Sequence, residues 1–169
     1  DLMFKDAHEL LKKFPKKDLT SSVELYCFIG YCQVRLLEME NAKKTINEVT
    51  ELITQEYHEE DHYHMIKVHS LNGLLFSTLD LNLQAKQSFE KSLQLSKHYF
   101  GENHTSTALA YQKLGEINLN EGMMEDAHKN LEKSQSCYLA VLEPEHPLVI
   151  QNQACMALYD YIDGKYTQA

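Results

Sequence analysis

One spacing governs this chain. Gly30, Gly73, Gly115 and Ala157 follow one another at steps of 43, 42 and 42 residues. Ala42, Ala85, Ala127 and Ala169 repeat those steps, and His62, His104 and His146 are 42 apart. Ile46, Phe89 and Leu131 form another column, and Tyr57, Phe100 and Leu142 a further one. Several independent columns sharing one period mark an internal repeat, and a repeat of this length is a supersecondary unit that buries its apolar face only against its neighbours.

The units follow from the columns. Residues 1–18 carry an apolar spacing, with Ala7 and Leu11 four apart, that reads as the second helix of a preceding unit, ended by Pro15. Unit one is 19–61, unit two 62–103 and unit three 104–145, while 146–169 is a partial fourth. Each full unit is predicted to hold two helices. The first lies near 65–79 in unit two and 107–121 in unit three, and the second near 83–98 and 125–140. Low Gly and Pro contents, 6 and 3 residues, agree with helices throughout. Gly122 and Gly164 share a column between the helices, where a helix must stop and positive φ is expected. In unit one that column holds Leu37. Pro147 suits a helix first turn. The small-residue columns are expected where two antiparallel helices approach, with Phe89 and Leu131 filling the space four residues beyond Ala85 and Ala127.

The repeat also bears on a motif. HEEDH at 58–62 has the spelling of the helical zinc motif of metallopeptidases. That chemistry needs both histidines on one face of a continuous helix, with a third ligand beyond. Here the segment falls at a junction between units, and His62 belongs to the junction column with His104 and His146. It is therefore read as a polar connector, with Asp61 favourable near a helix start. No metal ligand is assigned, and the residues leave open whether His58, His62 and His64 take a surface metal. No phosphate loop and no catalytic triad spacing occurs, so no catalytic residue and no cofactor are expected.

Charge and cysteines narrow the partners. A formal net charge of −9 opposes nonspecific nucleic-acid binding, which needs a cationic surface, and equally opposes anionic membranes. No apolar run reaches the length of a membrane span. Cys27, Cys32, Cys137 and Cys155 form no C-x-x-C pair and read as reduced thiols, which suggests a cytoplasmic setting. The Asn103–Thr105 sequon is read as chance.

These residues resemble a tetratricopeptide repeat array, and within it the kinesin light chain-like form with a 42-residue period. FGENHT at 100–105 and LEPEHP at 142–147 resemble that form's L-G-x-x-H-P connector. LGEINLNEGMMEDAHKNLEKS at 114–134 looks like the body of a unit, and DYIDGKYTQA at 160–169 like its turn and second-helix start. The resemblance covers 19–169. It implies an all-α, right-handed superhelix of helix pairs whose first helices line a concave groove for a peptide or partner helix. Carried over column by column, the groove residues are Glu24, Cys27, Tyr31, Arg35, Lys67, Ser70, Leu74, Gln112, Glu116, Asn120, Gln151, Leu158 and Tyr161. The Asn-Asn pair frequent in such grooves is replaced by Ser70-Leu71, Gln112-Lys113 and Ala154-Cys155. The implied function is a non-catalytic interaction scaffold or adaptor that belongs to a longer chain or a multi-protein complex. Two alternatives are a docking module of a larger enzyme and an architectural subunit of a large assembly.

Overall fold

The computed structural model describes residues 19–57 and 62–164, and the expectations for residues 1–18, for His58 to Asp61 and for Ala169 lie outside them. Seven helices are described: α1 (Leu19–Arg35), α2 (Met39–Tyr57), α3 (Met65–Thr78), α4 (Asn82–Phe100), α5 (Thr105–Asn120), α6 (Met124–Leu139) and α7 (Pro147–Ile162). No strand occurs among the described residues. The helix bounds lie within a few residues of those read from the period. By contacts the chain divides into two compact bodies, 1–85 and 86–169, with the boundary inside α4.

Every turn between the two helices of a pair is the same device. The column of Leu37, Asp80, Gly122 and Gly164 has φ of 62, 57, 73 and 72°. The next residue's N–H reaches back to the third carbonyl from the helix end: Glu38 to Gln33 at 2.8 Å, Leu81 to Phe76 at 2.9 Å and Met123 to Asn118 at 2.8 Å. Beside it, the N–H of Leu37, Asp80 and Gly122 bonds Val34, Ser77 and Leu119 at 3.1, 3.2 and 3.1 Å. This double bond pattern satisfies carbonyls that a helix end otherwise leaves unpaired. The left-handed conformation costs an L-residue about 1–2 kcal/mol, so glycine suits it and leucine does not. Leu37 adopts it nonetheless, because the flanking bonds fix the turn.

Within the first body α1 packs on α2, and α3 packs on both. Val23, Ile29, Val34, Ala42, Val49, Ile53 and Val68 form its buried interior. A buried Thr45 hydroxyl donates to Gln33 Oε1 at 2.8 Å across the α1–α2 pair. Gly30 is needed for close approach, since a β-carbon there would lie 2.5 Å from Leu71 Cδ2 of α3 and 3.6 Å from Thr45 Cγ2 of α2. The tightest neighbour is thus the next first helix, and not the paired second helix that the period suggested.

In the second body the expected intra-pair contact is found. A β-carbon at Gly115 would meet Leu131 Cγ and Cδ2 at 2.8 Å and the Ala127 carbonyl at 3.4 Å. One core group gathers Ala108, Tyr111, Cys137, Tyr138 and Val149, and another Leu119, Ala127, Leu131 and Tyr159. Ser134 Oγ donates to the Ala108 carbonyl at 2.8 Å, tying α6 to α5. Ala85 and Phe89 of α4 are both buried, as their columns required, whereas Ala157 is exposed.

Two outcomes test this packing. Ala127→Leu inserts bulk where Ala127 has no exposure, and thermal unfolding should register a loss of about 1–3 kcal/mol. Leu37→Gly should instead raise stability by about 0.5–1 kcal/mol, since relief of the left-handed strain outweighs the added freedom of the unfolded chain. An unchanged midpoint in chemical denaturation would show that the turn carries no strain.

Candidate partner-binding face

The first helices set the geometry. Lys67 Nζ of α3 lies 2.6 Å from Glu24 Oε1 of α1, 43 residues apart. Gly30 meets Leu71 in nearly the same offset. These contacts place α1 and α3 side by side, parallel and in repeat register. Along that stripe Glu24, Tyr31, Arg35 and Lys67 are exposed, Tyr31 by 48%. Ser70 and Leu74 are half-buried between them. Cys27, expected on the same face, is buried, and burial pushes its thiol up to about 11. It packs beneath the face and is removed from the contact set.

In the second body the same column behaves differently. Gln112 has no exposure, against the expectation that its amide meets a partner. Its Nε2 donates to Glu116 Oε1 at 2.9 Å, and its Oε1 accepts from the buried Tyr138 hydroxyl at 3.3 Å. Cys155 Sγ of α7 lies 3.7 Å from the same nitrogen and 3.5 Å from Glu116 Oε1. The amide is therefore used inside the chain, because a buried donor or acceptor without a partner is costly. Lys113 Nζ holds the other carboxylate oxygen of Glu116 at 2.7 Å. Gln112 thus positions a half-buried Glu116 from a buried place of its own. Burial, then the nearby Glu116 carboxylate, raises the Cys155 thiol to about 11. It stays protonated near neutral pH, and the geometry offers no thiolate. Asn120, Gln151, Leu158 and Tyr161 are exposed, the last two by 52% and 71%.

The junction histidines acquire a definite task. His104 Nδ1 accepts from the Ser106 N–H at 3.1 Å, and His146 Nδ1 from the Leu148 N–H at 3.2 Å. His62 Nδ1 accepts from the His64 N–H at 3.4 Å. At His104 and His146 a ring nitrogen does what Ser or Asp does at other helix starts, whereas α3 begins with His64 at its N-cap and without a side-chain cap. The described histidine of HEEDH, His62, thus accepts from the backbone N–H of the residue that precedes α3. Among the described residues no group of three His, Cys, Asp or Glu side chains is placed to hold a metal.

Two clusters escaped the sequence reading. Tyr111 OH donates to Glu102 Oε1 at 2.9 Å and lies 3.2 Å from Lys97 Nζ, which pairs with Glu102 at 2.7 Å. Lys97, followed by the Tyr111 hydroxyl, holds the Glu102 carboxyl below its usual value. The second is a nest of rings at the start of α3. His62 stacks on Tyr57 at 3.6 Å, and His64 lies 5.0 Å from His62 and 4.1 Å from Tyr63. The available signal was the column of residue 64, which holds serine in Ser106 and leucine in Leu148.

The Tetratricopeptide repeat family model matches residues 64–140. Among solved structures, the kinesin light chain-like protein BtubC (BKLC) from P. vanneervenii is similar, with a TM-score of 0.78 at 15% identity over 96% of this chain and 67% of that one. At that identity the likeness speaks for the fold alone. No curated protein matches by sequence.

The capping role is directly testable. His104→Ala removes the acceptor and should cost about 1 kcal/mol in chemical denaturation, while His104→Asn, which keeps one, should cost less. Equal losses would show that the ring packs and does not cap.

Proposed function

We propose that this tetratricopeptide repeat array is a non-catalytic scaffold or adaptor that takes a peptide or a partner helix along the exposed stripe of its first helices. Tetratricopeptide repeats generally mediate protein–protein interaction. The observation that carries the reading is the α1–α3 face, where Glu24, Tyr31, Arg35 and Lys67 stand exposed on two helices locked in parallel register. Ser70 and Leu74 form its floor. In the second body Glu116, Asn120, Gln151, Leu158 and Tyr161 offer the corresponding contacts. Rigid helices present these groups without a further ordering cost, which favours binding of an extended segment. Aromatic and arginine side chains are favoured anchors, so Tyr31 and Arg35 are expected to dominate.

The partner is a protein and not a nucleic acid, in keeping with the net charge of −9. No helix among the described residues is long and apolar enough to cross a membrane. The four free cysteines suit a reducing compartment, and we place the protein in the cytoplasm. No chemistry is assigned to it.

Affinity capture from cell lysate tests the reading, with the intact protein beside a Tyr31→Ala/Arg35→Ala variant of equal helical circular dichroism. The variant should lose a specific partner, each truncation weakening binding by more than about 1 kcal/mol. Recovery of the same partners by both proteins would move the contact to another face.

A further inference from the structure

The start of α3 departs from its own repeat. Where unit three has Ser106 and the fourth Leu148, unit two has His64, a ring with only 4% exposure. Its Nε2 lies 3.4 Å from Thr20 Oγ1 in the first turn of α1. Its other neighbours are the rings of Tyr57 at 5.9 Å, His62 at 5.0 Å and Tyr63 at 4.1 Å. Tyr57 ends α2 and stacks on His62 within 9° of parallel. One buried imidazole therefore touches groups at the start of α1, at the end of α2 and in the approach to α3. The junctions at His104 and His146 have the capping ring but no second imidazole two residues on.

We propose that this junction is an acid-released latch: neutral His62 and His64 hold α1, the end of α2 and the start of α3 together, and their protonation loosens all three. The bond from the His64 N–H to His62 Nδ1 needs a bare lone pair, which an imidazolium lacks. A charged His64 would be desolvated and would face a second imidazolium. Among the described residues, the charged groups that act on it are Glu24 of α1 and Lys67 of α3, which oppose each other at 2.6 Å. Tyr57 and Tyr63 add phenol rings beside it. Burial first, then His62 and Lys67, hold the His64 imidazole below the ordinary histidine value. The sign follows. The unfolded chain takes the proton first as pH falls, so the full stabilisation stands above an ordinary histidine pKa of about 6.5. It is lost as pH drops through the lower folded value. The latch fixes the register of α1 and α3, so its use in regulation, partner held near neutrality and released in acid, rests on the function proposed above.

The test reads backbone exchange and needs no partner, so the latch and the binding face can fail separately. Hydrogen exchange of the full chain is compared at about pH 7.5 and about pH 5.5, with rates corrected for intrinsic chemistry. Protection over 62–70 should fall by about tenfold more than over 104–112. His64→Ser, which installs the residue of unit three, should abolish that difference. If this variant is already loosened at neutral pH, His62→Asn, which keeps an acceptor that does not titrate, takes its place and should reduce it. Equal loss at both junctions in the wild type overturns the proposal. So does persistence of the full difference in both variants.

Discussion

A left-handed residue closes each helix pair, and the rest of the fold depends on it. The reversal at Leu37, Asp80 and Gly122 pairs the last carbonyls of each first helix and starts the second helix two residues later. Ala42, Ala85 and Ala127 each then donate to a residue of that turn, Glu38, Leu81 and Met123, at 2.9, 3.0 and 2.9 Å. The small residue of the second helix is thereby placed one turn from the reversal. Larger residues one turn further on, Leu131 in the second body, fill the widening space against Gly115.

Polar groups are accommodated in that core by pairing and not by exclusion. Thr45 with Gln33, Ser134 with the Ala108 carbonyl, and Tyr138 with Gln112 are all buried and all bonded. Asn152 is the partial exception. Its amide nitrogen donates to the Leu131 carbonyl and Gln135, while Oδ1 has no partner in the structure. Such buried bonds add little net stability but make every mispaired alternative costly, so they fix register. The consequence for function is that positions along one column diverge. The column carries Cys27 and Gln112 as buried supports, yet Ser70 is half-open. The exposed neighbours are Tyr31 and Arg35 in the first body and Asn120 in the second.

The sequence by itself determined the repeat, the helix pairs and their limits. Those features are written in local chemistry: glycine in two of the four positive-φ turns after a first helix, small residues between paired helices, histidine at 62, 104 and 146. Register also put His62 of HEEDH in the junction column with His104 and His146. Tertiary structure decided which side chains are available. Gln112 and Cys27 lie at groove positions by the family resemblance, but burial depends on what the adjacent helix carries, here Tyr138 and Cys155 around Gln112. Gly30 answers to Leu71 of the next first helix for the same reason. The ring nest around His64 was equally invisible, since Thr20, Tyr57 and His64 are brought together only by packing. A period records what every unit shares, and contacts between neighbouring units decide what makes one unit different.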